Sequence, residues 1–190
     1  MTIRNATVND IEGIKTLLKK YHRDTISDED RADGFVTTAI TDEQLTELIE
    51  KENGVMIIAE PSADGKPDEV KGFCFAAPWD YWEPWPLFRH MMDIIPNYEF
   101  KGEKLTLENT YQYGPMCIDR SIRSTGAFED LFIASLRQFQ LRFPVMITFV
   151  NQINGRSANA HTNKAHMTVI DTFDFNDNHY YLMGIKTDKA

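Results

Sequence analysis

The sequence predicts a mixed α/β domain built on one sheet. Two observations carry that prediction. Apolar runs of strand length, bounded by Gly, Pro, Asn and Asp, recur along the chain and alternate with amphipathic stretches of helical period. Read from the first residue, they give the order β-α-α-β-β-β-α-β-α-β-β. The length of 190 residues, with 42% hydrophobic and 26% charged residues, fits a single domain over 1–190. A chain of that size buries a core without a disulfide or metal staple.

Thr2-Ile3-Arg4-Asn5-Ala6 reads as a short strand. Thr7-Val8-Asn9-Asp10 is a capping box, with Thr7 as N-cap and Asp10 at the third helical position. Ile11, Ile14, Leu17, Leu18 and Tyr21 then recur at helical spacing, which predicts a helix over 8–22. The polar stretch from Arg23 to Asp33 reads as loop or frayed helix. A second capping box, Thr41-Asp42-Glu43-Gln44, opens a helix with Leu45, Leu48 and Ile49 on one face, and Asn53-Gly54 ends it. Val55 to Glu60 has the composition of a buried strand. Ala63-Asp64-Gly65-Lys66 reads as the turn to a hairpin partner over Val70–Ala76.

The segment from Pro78 to Gly102 differs in character. It holds all three tryptophans and four of the eight prolines, with little periodicity, and reads as an insertion over 78–102. Strand character resumes from Leu105 to Ile118, broken by Gly114-Pro115. Phe128, Leu131, Phe132, Leu136 and Phe139 predict a helix over about 126–142, stopped by Pro144. Val145 to Val150 is a β-branched strand, and Asn154 to Ala165 a helical stretch of small residues. Thr168–Phe173 and Tyr180–Ile185 flank Asn176-Asp177-Asn178 as a closing hairpin.

Twenty Lys and Arg stand against 29 Asp and Glu, a net charge of −9. Duplex-binding proteins carry a basic surplus, because phosphate neutralisation supplies most of their affinity, so nucleic acid is not the expected partner. The acidic balance favours a cationic substrate. Cys74 and Cys117 lie in apolar runs without a CxxC partner and read as buried thiols. The five histidines show no HxH or HExxH spacing, so no metal is expected. No run reaches the ~18 apolar residues of a membrane span, and Met1-Thr2-Ile3-Arg4 opens no signal peptide, which predicts a cytoplasmic protein without membrane attachment.

The chemically distinctive feature is a strand–loop–helix passage. Met116-Cys117-Ile118 leads through Asp119-Arg120-Ser121-Ile122-Arg123-Ser124-Thr125-Gly126-Ala127 into the helix. A helix N-terminus offers unpaired N–H groups and a partial positive charge, Gly126 permits close backbone approach, and Arg120 and Arg123 add charge. Arg123-Ser124-Thr125-Gly126-Ala127-Phe128 resembles the cofactor signature of the GNAT superfamily of N-acyltransferases, Arg/Gln-x-x-Gly-x-Gly/Ala, in which the loop after the fourth strand holds the coenzyme A pyrophosphate. The order of elements is similar to that family over nearly the whole chain, the Trp-rich insertion excepted. Phe128 departs from the pattern, which has Gly or Ala there.

The resemblance implies a central, mostly antiparallel sheet flanked by helices, with the aromatic insertion between the third and fourth strands. It implies acetyl-CoA as cofactor, held by Arg123, Ser124, Thr125, Gly126, Ala127 and Phe128, with the backbone of Met116 and Ile118 pairing to the pantetheine arm. Many members use a carboxylate on the fourth strand as base. The matching position is Gln112, which takes no proton at neutral pH, and Glu108, expected four residues earlier on the same strand face, is the nearest acidic substitute. The family's thiolate-side tyrosine aligns with His161, whose imidazole can donate a proton near pH 7. Asn154 and Ser157 would contact the cofactor or cap the helix.

Trp79, Tyr81, Trp82 and Trp85 lie where this fold places its acceptor side. They would hold a cationic amine, line a homodimer interface or form a lid. The expected activity is transfer of an acetyl group from acetyl-CoA to a primary amine of a small, cationic acceptor by direct attack. The alternatives are a degenerate acyl-CoA-binding or ligand-sensing module of the same fold, and a dimerisation domain without cofactor.

Overall fold

A computed structural model describes residues 1–28, 35–62 and 67–189. The turn expected at Ala63-Asp64-Gly65-Lys66 and the later part of the Arg23–Asp33 stretch lie outside the described residues. The strands are β1 (Thr2–Asn5), β2 (Val55–Glu60), β3 (Glu69–Ala77), β4 (Glu99–Phe100), β5 (Glu103–Lys104), β6 (Thr110–Ile118), β7 (Val145–Asn151), β8 (Thr168–Phe175) and β9 (Asn178–Lys186). The helices are α1 (Ile11–Tyr21), α2 (Asp42–Glu50), α3 (Trp79–Trp82), α4 (Pro86–Ile94), α5 (Ala127–Phe139) and α6 (Gly155–Asn159). A seven-stranded sheet runs in the order β1-β2-β3-β6-β7-β9-β8, and β4 pairs with β5 in a separate hairpin. This is the mixed α/β fold with a mostly antiparallel, helix-flanked sheet that the sequence predicts. Its one parallel pairing among the registers described joins β6 to β7.

The chain divides into two compact units, Met1–Ala76 with Gly114–Ser135, and Ala77–Tyr113 with Leu136–Ala190. The boundary falls within β6, whose first four residues belong to the second unit and whose last five belong to the first.

In the first unit, β2 is buried along five of its six residues and sits between β1 and β3. The helix predicted over 8–22 begins as a 3-10 turn at Val8–Asp10 and continues as α1. Asp10 anchors it. Its carboxylate accepts from the Thr7 backbone N–H at 2.8 Å and hydroxyl at 2.9 Å, and takes a two-pronged contact from Arg4 at 2.8 Å on each oxygen. Those partners, Arg4 first, hold the carboxyl below its ordinary range. The second capping box forms as expected, with Gln44 N–H donating to Thr41 Oγ1 at 3.2 Å and Thr41 N–H to Gln44 Oε1 at 2.9 Å.

In the second unit, β7 pairs antiparallel with β9, and β9 with β8. Asn176 and Asp177 both adopt positive φ, 47° and 58°, which matches the right-handed twist of the hairpin they close. The segment read as an aperiodic insertion is largely helical, comprising α3, α4 and, at its end, β4, which pairs with β5 just beyond it. Its aromatic rings pack on one another: Trp82 stacks on Phe88 with centroids 4.6 Å apart and planes 10° apart, and Phe88 meets Phe149 of β7 edge-on at 5.2 Å. Trp79 and Trp82 satisfy their indole N–H groups internally, on Thr110 Oγ1 at 2.9 Å and on the Ala77 carbonyl at 3.3 Å. Five aromatic residues between 79 and 88 thus build a core, and the prolines that hid its periodicity mark helix starts, Pro78 at the N-cap of α3 and Pro86 at the first position of α4.

Replacing Trp82 by Ala removes a wholly buried ring. The expected loss is about 3–5 kcal/mol of stability, measured as a lower urea midpoint with an unchanged slope. A loss below about 1 kcal/mol would show that the ring does not fill this core.

Candidate functional site

The loop between β6 and α5 belongs to the first unit. β6 ends at Ile118, and Asp119 caps a 3-10 turn over Arg120–Ile122, accepting from the Ser121 N–H at 2.9 Å. Arg123 returns to extended backbone with φ −65° and ψ 150°, and then Ser124 and Gly126 both take positive φ, 66° and 89°. The second of these favours glycine, because a side chain on a left-handed backbone crowds its own carbonyl. A Cβ built at Gly126 would meet nothing within 4 Å, so the backbone here fronts open space. α5 then begins at Ala127, and its first-turn N–H groups lie at the same end. A concave turn with two left-handed residues before a 13-residue helix is the backbone form that cradles phosphate oxygens.

Arg123 is tied within the loop and to α1. Its Nε donates to the Ile118 carbonyl at 3.0 Å, and its guanidinium sits 4.8 Å from the centre of the Tyr21 ring. Phe128, the departure from the signature, lies half-buried and parallel to Phe132 one turn on, with centroids 6.3 Å apart. Glu129 and Asp130 occupy the first turn of α5 and complement its dipole. Met116 and Ile118 are half-buried at the end of β6, and Ser124 and Thr125 are exposed.

The second unit holds a buried polar cluster around Tyr113. The parallel ladder joins Thr110, Tyr111 and Gln112 to Val145, Met146 and Ile147, while β6 itself runs on. The carbonyl of the next residue, Tyr113, takes side-chain donors: the Thr148 hydroxyl at 2.7 Å and Gln112 Nε2 at 2.5 Å. Gln112 is 1% exposed, and its Oε1 is buried without a hydrogen-bond partner. A buried acceptor of that kind costs about 1–3 kcal/mol until a donor reaches it.

His161 lies against the ring of Tyr113 at 5.6 Å, in a π-helical turn, Ala160–Lys164, that follows α6. Its Nδ1 is 2.7 Å from the Ser157 carbonyl oxygen and 3.3 Å from the Ser157 hydroxyl. A carbonyl only accepts, so Nδ1 carries the proton and Nε2 is the basic nitrogen of the neutral ring. Burial pushes the imidazolium below its ordinary value, against a smaller opposing contribution from the Ser157 carbonyl. Near neutrality the ring therefore takes up a proton at Nε2 before it can give one. Asn154 caps α6 through a bond from Ser157 N–H to its Oδ1 at 3.3 Å.

Two expectations are corrected. Glu108 does not share a strand face with Gln112. It is exposed in a turn that ends before β6 begins, because Thr106 and Asn109 exchange side-chain bonds (2.7 and 3.1 Å) that fold this stretch back. Trp79, Tyr81 and Trp82 are buried rather than presented to a ligand, and Trp85 is the half-buried member of the group, tilted against Tyr81 at 5.7 Å and Trp82 at 5.5 Å. Both cysteines are free and buried as expected, and burial pushes their thiols up to about 12. Among the described residues no group of three or more His, Cys, Asp or Glu could hold a metal ion, and no helix is long and apolar enough to cross a membrane. Sequence reading missed Tyr21, Asp119 and Thr148. The first and last follow apolar spacing and show no polar signal, and Asp119 reads as an ordinary loop acid.

No family model matches the sequence, and no curated protein matches it. Solved structures do. The chain is similar to yncA from Salmonella typhimurium, determined with its cofactor acetyl-CoA, at 13% identity and a TM-score of 0.61 over 100% of this chain and 95% of that one. It is similar to a GNAT-family acetyltransferase from Listeria monocytogenes at 13% identity and a TM-score of 0.61, over 97% and 94% of the two chains. It is also similar to the ribosomal-protein-alanine N-acetyltransferase of Brucella melitensis at 15% identity and a TM-score of 0.58, over 98% and 99%. The fold of this chain is therefore the fold of the GNAT acetyltransferases, held at low sequence identity over nearly its whole length.

Proposed function

We propose that this chain transfers an acetyl group from acetyl-CoA to the primary amine of a small, cationic acceptor. The observation that carries the reading is the Ser124–Ala127 turn, with Gly126 left-handed and open in front, set between a strand and a helix N-terminus on an acetyltransferase fold. The backbone N–H groups of Ser124, Thr125, Gly126 and Ala127 would hold the diphosphate, with Phe128 continuing the helix behind them. The backbone of Met116 and Ile118 would pair with the pantetheine arm. When bound, acetyl-CoA supplies an acetyl group activated as a thioester.

The chain's own residues then have two tasks. The acceptor amine must reach the acetyl carbon as the free base, and the proton it sheds on attack must be held. Gln112 cannot take that proton, but its buried Oε1 is fitted to accept an N–H of the incoming amine and orient it. His161, with its proton on the Ser157 side, would hold the shed proton at Nε2. This replaces the simple acid role expected from the sequence, because the neutral ring carries its proton on the Ser157 side. Trp85 is the ring through which the aromatic core would meet a cationic acceptor, and a net charge of −9 favours such an acceptor's approach. An amide at position 112, where a carboxylate would act as base, favours a second reading: an acyl-CoA-binding or ligand-sensing module that does not turn over.

Thermal denaturation with and without acetyl-CoA tests the first step. Binding at a hundredfold excess over Kd adds about 2.7 kcal/mol of stability. Gly126→Asp places a carboxylate in the cradle on a residue type that tolerates left-handed backbone, and it should abolish the shift. Gly126→Asn, its neutral isostere, should keep part of it. No shift in the parent at millimolar acetyl-CoA would refute the cofactor reading. Turnover with a panel of primary amines separates the transferase from the sensing module.

His161 predicts two further results. His161→Gln should lower kcat by about 10²–10⁴ while leaving acetyl-CoA affinity unchanged. It should also remove a pH dependence of stability. The folded pKa is depressed below the ordinary 6.5, so the neutral ring's contribution is complete above 6.5 and is lost as pH falls below it, where the unfolded chain binds the proton more readily. Urea unfolding at pH 7.5 and 5.5 should show a loss in the parent, at most about 1.4 kcal/mol per pH unit, that is absent in the variant. Equal losses in both proteins would remove His161 from this account.

A further inference from the structure

Asp119, the residue after β6, has no part in the proposed transfer, yet its carboxylate gathers four donors. Oδ2 accepts from Lys20 Nζ at 2.7 Å and from the Tyr21 hydroxyl at 3.3 Å. Oδ1 accepts from the Ser121 N–H at 2.9 Å and hydroxyl at 2.7 Å. The same Tyr21 oxygen accepts the Arg120 N–H at 2.8 Å, and the Tyr21 ring carries the Arg123 guanidinium. The backbone N–H of Asp119 is fixed in turn, on the Lys71 carbonyl at 2.7 Å. The residue is 8% exposed. Burial alone would raise its pKa, but Lys20 and Ser121 outweigh that and hold the carboxyl well below the ordinary carboxylate range.

These contacts tie the last turn of α1 to the loop that leads to Gly126. The loop needs such a tie. Ser124 sits at φ 66°, a left-handed backbone that is unfavourable for a non-glycine residue and persists only where the surroundings impose it. Within the loop, Thr125 Oγ1 to the Ile122 carbonyl at 2.7 Å and Arg123 Nε to the Ile118 carbonyl at 3.0 Å hold the turn, and Arg123 itself rests on Tyr21.

We infer that Asp119 is a positioning residue for the cofactor loop: through Lys20 and Tyr21 of α1, its carboxylate holds the Asp119–Gly126 turn in the shape that presents backbone N–H groups to a diphosphate. This rests on the acetyl-CoA reading. It makes the end of α1 a determinant of cofactor affinity without contact to the cofactor.

The test compares the parent with Asp119→Asn and Lys20→Met, each measured by calorimetry against acetyl-CoA and against S-acetylpantetheine, which lacks the diphosphate. Asn keeps an acceptor for Ser121 and loses the charge that Lys20 answers. Lys20 has a half-exposed side chain, so its substitution by Met keeps the question answerable if Asp119→Asn does not fold. Each variant should weaken acetyl-CoA binding about tenfold, the loss of one charge-assisted hydrogen bond. Binding of S-acetylpantetheine should not change. The double variant should be no weaker than Asp119→Asn alone, since the two side chains act as one contact. Unchanged acetyl-CoA affinity in folded variants, or equal losses for both ligands, would overturn the inference and leave the cofactor reading intact. A parent that binds neither ligand would overturn both.

Discussion

The structure turns on what happens to β6 after Gln112. A strand in a sheet must find a partner for every backbone carbonyl and N–H, and β6 meets that demand against β7 for three residues. At Tyr113 the carbonyl accepts a threonine hydroxyl and a glutamine amide. Side chains can answer a buried carbonyl only where they are themselves buried and correctly aimed, as Gln112 and Thr148 are. The same polar cluster then supplies an amide oxygen with an unmet acceptor and a neighbouring imidazole.

Much of the fold is legible in the sequence because local signals agree with one another. The Thr41–Gln44 capping box, the apolar stripe of α1, the six-residue strand from Val55 and the Asn176-Asp177 turn each need only their own neighbours to form. The aromatic segment was harder to read for a physical reason. Its helices are short, α3 with four residues and α4 with nine, and their stability comes from rings meeting one another across the turn between them rather than from a repeating apolar face. Composition reveals that such rings exist and says nothing about whether they face inward.

The candidate site divides in the same way. Gly126 was legible, since a glycine before a helix has a backbone reason to be there. His161 was legible as a position, but its protonation pattern was not, because that depends on which atoms of Ser157, one turn back, meet its Nδ1. Glu108 was misplaced by two residues' worth of turn, and in a strand such a slip decides whether a side chain lies on the sheet at all. Asp119 was invisible because its partners, Lys20 and Tyr21, are about a hundred positions away in sequence.

Arginine 123 makes the general point about motif reading in a protein of net charge −9. A guanidinium near a phosphate loop invites the conclusion that it neutralises the phosphate. Here the group is held by a carbonyl and an aromatic ring, and Asp119 lies nearby with Lys20 answering its charge. On the acetyl-CoA reading, oriented peptide dipoles at the start of α5 and in the left-handed turn before it also offer positive potential to the diphosphate. Such a site depends on the shape of the backbone more than on the charge of any side chain. On that reading, the contacts that fix the shape, at Asp119 and Tyr21, matter as much as the loop residues that match a signature.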